Sequence, residues 1–141
     1  MNYFLYGEDT YRSRRKLREI ITAYRAKTQA GTADFHSFDA AEDDLQEFRA
    51  AVRGGSLFVA KKLVVLERPF TAPRQFDIVR SVLADARAVP DIVVVAWDGA
   101  LDPEARKRLK EVEVYFGKSQ EFQSLSGVAL VAITLMIPAG V

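Results

Sequence analysis

Apolar positions along this chain recur in two rhythms, short unbroken runs and helical stripes, and the two alternate. Tyr3 to Tyr6 is a run of aromatic and apolar residues closed by Gly7, Glu8 and Asp9, which predicts a buried strand ending in a turn. Leu17, Ile20, Ile21 and Tyr24 then recur at i, i+3, i+4 and i+7, predicting an amphipathic helix whose other positions hold Arg12, Arg14, Arg15, Lys16 and Arg18. Gly31 marks the break after it. Phe35 to Phe38 reads as a second strand, and Asp44 with Glu47 has capping-box spacing ahead of Leu45, Phe48 and Val52. The helix it opens stops near Gly54 and Gly55.

Leu63 to Leu66 and Ile92 to Trp97 are apolar without alternation, the pattern of strands covered on both faces, as in the centre of a parallel sheet. Between them Pro73 suits a first helical turn, Phe76, Val79 and Leu83 share one face, and Pro90 ends the segment. Asp102-Pro103 is a second cap signal, opening a short helix through Leu109. Val112, Val114 and Phe116 then alternate with polar neighbours and predict a fifth strand, and Gln120 to Gln123 is a further strand candidate after Lys118. Strand and helix alternate throughout, so the expected fold is a three-layer α/β domain with a mainly parallel five-stranded sheet.

Composition narrows the function classes. With 141 residues, 49% hydrophobic and 28% charged, the chain is long enough for one domain with a real core. Twenty Lys and Arg against nineteen Asp and Glu leave a net charge of +1, so attraction to nucleic acid or an anionic membrane needs a local patch. The absence of cysteine excludes disulfides, thiolate zinc sites and thiol catalysis, and points to the cytoplasm as the compartment. Met1 to Gly7 has no basic region before a long apolar stretch and does not read as a signal peptide. The apolar run Val128 to Ile137 is only ten residues, short of the roughly 20 a spanning helix needs. It belongs to a charge-free tail from Ser124 to Val141 that reads as a terminal element packed on something.

Ligands of open α/β sheets bind beyond the carboxyl ends of the strands, so the turn after Tyr6 is the first place to look for chemistry. It lacks the Walker pattern: where Gly-Lys-Ser/Thr should follow Gly7 and four residues, the chain has Arg12, Ser13 and Arg14. Glu8, Asp9, Asp39, Glu42, Asp43 and Asp44 could gather carboxylates for magnesium in a phosphotransfer or receiver-like site. Acidic residues also serve as caps where helices begin, and both clusters stand at such places. Where a receiver domain would carry Asp after the third strand, this chain has Glu67-Arg68-Pro69. His36, the one histidine, has no nucleophile at triad spacing and reads as structural, and Trp97 reads as core. The basic run Arg12 to Arg18 fits a solvated helix face or a phosphate-binding footprint.

Gly54-Gly55-Ser56-Leu57-Phe58 places two large apolar residues after a glycine pair, between a helix end and Lys61-Lys62. Leu57 and Phe58 either fold back as the contact that accompanies a helix C-cap or project as a plug for a partner's pocket. The residues alone favour the cap.

Tyr3-Phe4-Leu5-Tyr6-Gly7-Glu8-Asp9-Thr10-Tyr11, then Gly54-Gly55-Ser56-Leu57-Phe58 leading to Lys62-Leu63-Val64-Val65-Leu66, closely resembles the N-terminal domain of the bacterial DNA polymerase III delta subunit. Phe38-Asp39 ahead of Asp43-Asp44-Leu45, Val93 to Trp97 with Leu101-Asp102 after it, and Gln120-Glu121-Phe122 are similar to the same family. The resemblance spans Tyr3 to Gly127 and rests on the order and spacing of modest motifs.

The resemblance implies an AAA+/P-loop-like fold without a working nucleotide site, in a clamp-loader subunit that binds the ring-shaped sliding clamp, the beta subunit, and helps to open it during DNA replication. It implies that Leu57 and Phe58 enter a hydrophobic pocket on the clamp, with Ser56 and Gly55 in the same element. Gly55 stands where some relatives carry a larger apolar residue. No catalysis, cofactor or metal is implied for this chain, and no membrane partner; ATP hydrolysis belongs to other loader subunits, and DNA is met through the loader. Residues 1–127 correspond to the clamp-binding domain and 128–141 to an atypical uncharged tail. The small helical domain and the collar domain of full delta subunits are expected to be absent.

Overall fold

The computed structural model describes residues 1–27, 33–54 and 61–116. Gly31, the Gly55 to Phe58 element, the strand candidate at Gln120 to Gln123 and the uncharged tail lie outside the described residues.

Four strands, β1 (Asn2–Leu5), β2 (Ala33–Asp39), β3 (Lys61–Glu67) and β4 (Ile92–Trp97), form one sheet in the order β1-β4-β3-β2. Every pairing is parallel, with Leu63 opposite Val93 and Leu66 opposite Ala96 in the centre. The two strands that read as solid apolar runs are the central pair, because only a strand with neighbours on both sides and helices on both faces needs apolar residues at every position. Leu63, Val64, Leu66, Val94, Val95 and Ala96 are all fully buried.

The helices are α1 (Thr10–Lys27), α2 (Leu45–Arg53), α3 (Phe76–Ala86) and α4 (Pro103–Val112). Strand side chains alternate between faces, and the core divides accordingly. Tyr3, Leu5, Leu63, Val65, Val93, Val95 and Trp97 pack with Leu17, Ile20 and Tyr24 of α1. Phe4, Val64, Leu66, Val94 and Ala96 pack with Phe48, Val79, Leu83, Leu109 and other apolar residues of α2, α3 and α4. The result is three layers, with α1 on one side of the sheet and three helices on the other. Asp44 caps α2 by accepting from the Gln46 amide at 2.9 Å, and Asp102 caps α4 by accepting from Ala105 at 2.8 Å. Pro73 opens a 3₁₀ turn, Pro73–Gln75, that leads into α3.

The sheet departs from expectation at its fifth strand. Val112, Val114 and Phe116 do not form one: α4 runs on to Val112, and Glu113–Tyr115 is a 3₁₀ turn. Ala105, Leu109, Val112 and Phe116 are buried at i, i+4, i+7 and i+11, a helical stripe, while Val114 is 70% exposed and faces solvent. Alternate apolar positions therefore arose from helical spacing plus one exposed valine. Among the described residues the sheet has four strands, and no helix is long and apolar enough to cross a membrane.

Candidate functional site

The element holding Gly55, Ser56, Leu57 and Phe58 is entered from Gly54, the C-cap of α2, and left at Lys61, the first residue of β3. Both flanks stand at the amino end of the sheet. Gln75 secures the far end of α2: its side-chain oxygen accepts from the Leu45 amide at 2.8 Å and its nitrogen donates to the Asp43 carbonyl at 2.8 Å. At the near end Arg53 Nε donates to Asp85 at 2.9 Å, tying α2 to α3.

Lys62 completes this anchor. Its side chain lies on the α2 side of β3, as its spacing of two and four from Val64 and Leu66 requires, and only 8% of the residue is exposed. Its ammonium donates to the Ala51 carbonyl at 2.9 Å and to the Gly54 carbonyl. The last carbonyls of a helix lack intrahelical partners, and a cation among them is favoured by the helix dipole. One buried charge thus joins the chain on either side of residues 55–60. Gly54 sits closely under the helix end, with its amide donating to Ala50 at 2.6 Å. A Cβ at Gly54 would lie 2.6 Å from the Ala50 carbonyl oxygen, so a side chain there forces the helix end to move.

The carboxyl end of the sheet is built differently. Arg68, held at a φ of 56°, donates from Nε to Asp39 at 3.0 Å and also from its terminal nitrogen. Burial works to raise the Asp39 carboxyl, but the Arg68 guanidinium, the Ala41 amide and the Arg14 charge outweigh it and hold the group below its ordinary value. Arg14 pairs with Glu67 at 2.6 Å and lies over the Trp97 ring at 4.0 Å, while Trp97 donates to Ser13 at 2.9 Å. Asp98, only 1% exposed, accepts from the Phe70 amide at 3.0 Å and the Thr71 hydroxyl at 2.6 Å. Its burial pushes the carboxyl above its ordinary value despite those bonds. Gly7 and Gly99 link the turns after β1 and β4 through a 3.3 Å bond, and Gly7 has a φ of 149° that suits only glycine.

The acidic residues of the sequence reading are distributed among separate tasks. Asp9 accepts from the Arg12 amide at 3.0 Å, Asp43 from the Asp39 amide at 2.7 Å, Asp44 caps α2, and Glu8 is exposed. Among the described residues no three His, Asp or Glu side chains form a group that could hold a metal. His36 is bonded to Asp34 at 2.8 Å and stacks near Phe38. The sequence reading missed Lys62 and Asp98. A charged residue at a core-facing strand position, eight residues past the glycine that caps a helix, was the available signal for Lys62.

The chain is similar to a solved structure, the Bacillus subtilis DNA clamp loader delta protein (YqeN), with a TM-score of 0.52 and 21% sequence identity. The match covers 79% of this chain and 36% of that protein. No family model matches the chain, and no curated protein matches it. At this identity the likeness is one of fold: a parallel α/β domain resembling part of a clamp loader delta protein.

Proposed function

We propose that this chain is the clamp-binding part of a clamp-loader delta subunit, with residues 1–127 as the functional domain and Leu57 and Phe58 as the plug that enters a pocket on the sliding clamp. Gly55 and Ser56 belong to the same clamp-binding element. The fold likeness supports the reading, and the observation that carries it is the Lys62 ammonium on Ala51 and Gly54, a braced base on either side of residues 55–60. Bracing lowers the ordering cost of binding, so more of the apolar contact energy appears as affinity.

The chain performs no chemistry in this account. It binds better to a clamp whose nearby ring interface has loosened, and that differential affinity shifts the population toward open rings. Other subunits of the loader supply ATP hydrolysis. Leu57 and Phe58 each contribute roughly 1.5 to 3 kcal/mol on burial, so Leu57→Ala/Phe58→Ala weakens clamp binding by about two to four decades. Calorimetric titration of the chain with the sliding clamp of the same organism tests this, with circular dichroism confirming that the variant keeps its fold. Equal affinity for native and variant chains refutes the assignment.

A further inference from the structure

The outer face of α1 is not used by that reading, and it concentrates the charge of the molecule. Seven of the twenty Lys and Arg but only one of the nineteen Asp and Glu lie in α1, so this helix carries +6 and the rest of the chain −5. The helical repeat puts Tyr11, Arg15 and Arg18, at i, i+4 and i+7, in one row directly opposite the buried stripe of Leu17, Ile20 and Tyr24. Arg12 flanks that row. Tyr11 is 71% exposed, and Arg12, Arg15 and Arg18 are exposed with it. Glu19 is shared between Arg15 at 3.6 Å and Lys16 at 3.4 Å, so it neutralises neither fully. Among the described residues Arg12 and Arg18 form no ion pair. An open groove of about 560 Å³ follows Arg15, Arg18, Thr22 and Ala26 along the helix.

The first turn of α1 contains no acid, whereas the first turns of α2, α3 and α4 contain Glu47, Asp77 and Glu104. Asp9 caps α1 through the Arg12 amide, but cations near the positive end of a helix dipole oppose folding, so the concentration of arginines there is not explained by helix stability. A membrane surface does not suit it, because interfacial helices offer an apolar face to the lipid and that face of α1 is buried in the core. A row of arginines led by an exposed aromatic ring suits a single strand of nucleic acid, whose phosphates meet the guanidinium groups while an unpaired base stacks on the ring. A duplex keeps its base faces inside and cannot use the ring. From this juxtaposition we infer that the outer face of α1 binds single-stranded nucleic acid, with one base on Tyr11 and the backbone on Arg12, Arg15 and Arg18.

Fluorescence anisotropy of the full chain with a labelled oligothymidylate of about 15 nucleotides tests the inference. The logarithm of affinity falls against the logarithm of salt with a slope of about −2, the value for three phosphate contacts on a single strand. Tyr11→Ala weakens binding about tenfold and Tyr11→Phe does not. Arg15→Gln/Arg18→Gln reduces the slope to about −0.7. The substituted side chains are exposed, and clamp binding by these variants stays at the native level. No binding at low salt, a duplex of the same length bound equally well, a Tyr11→Ala variant of native affinity, or capture by anionic vesicles without capture of the oligonucleotide each overturns it.

Discussion

The two ends of the sheet spend their charged residues differently. At the carboxyl end, Asp39 meets Arg68, Glu67 meets Arg14, and Asp98 holds the segment after β3 through Phe70 and Thr71. Each of these charges is answered by a group of the same chain, and the turns are locked together where ligands of open α/β sheets are commonly held. At the amino end the buried ammonium of Lys62 answers carbonyl groups of α2, one of them Gly54, the last described residue before position 55. One end is bonded within its own turns, and the other ties the end of α2 to the start of β3. The contrast argues that place in the fold alone does not identify a functional end; what each side chain is bonded to must be asked as well.

The strongest way to break the carboxyl end is Asp98→Ala, which strips acceptors from the Phe70 amide and the Thr71 hydroxyl and costs about 3 kcal/mol of stability, read by urea denaturation. Clamp affinity per folded molecule should be unchanged. Lys62→Met keeps the apolar stem and removes the donor to Ala51 and Gly54. It costs about 1 kcal/mol of stability and weakens clamp binding about tenfold through a looser base, measured by denaturation and by dissociation rate. Gly54→Ala, whose Cβ would meet the Ala50 carbonyl oxygen, should mimic Lys62→Met in direction. A variant of Lys62 that loses stability but keeps full clamp affinity would show that the ammonium serves only the fold.

Acid titration gives the smallest and most specific contrast. Asp39 is lowered against the net effect of burial by Arg68, the Ala41 amide and Arg14, so the stability it contributes is present above the ordinary carboxylate value and is lost as pH falls through its lowered value. Asp98 is raised by burial, so in the window above the ordinary value the folded chain keeps a proton the unfolded chain has released, and stability falls as pH rises through that window. Asp39→Asn should flatten the acid limb of a stability profile taken from about pH 3 to 7, and Asp98→Asn should remove the loss of opposite sign. Matching profiles for both variants would contradict the two environments described.

Much of the architecture was legible in the chain. The unbroken runs at Leu63 and Ile92 placed the central strands, and Asp44 and Asp102 marked helix starts because capping is local chemistry. The segment from Val112 to Phe116 was misread because apolar residues at 112, 114 and 116 satisfy a period of two as well as an i, i+4 pair, and only the exposure of Val114 separates the readings. Asp39 with Arg68 and Asp98 with Thr71 lie 29 and 27 residues apart, and no local pattern announces such pairs. Lys62 was passed over for a related reason: its position on the core-facing side of a strand was a signal, but its role depends on a helix end brought beside it by the sheet. Leu57 and Phe58 stood out as a motif, but the residues alone favoured a folded-back cap, and the plug entered through family resemblance.

Hydrogen–deuterium exchange of the chain with and without the sliding clamp tests the central claim most directly. The account predicts that clamp addition slows exchange across residues 54–61 and the last turn of α2, while amides around Asp39, Arg68 and Asp98 exchange as before. Slowed exchange at that carboxyl end, with none at the amino end, would contradict it.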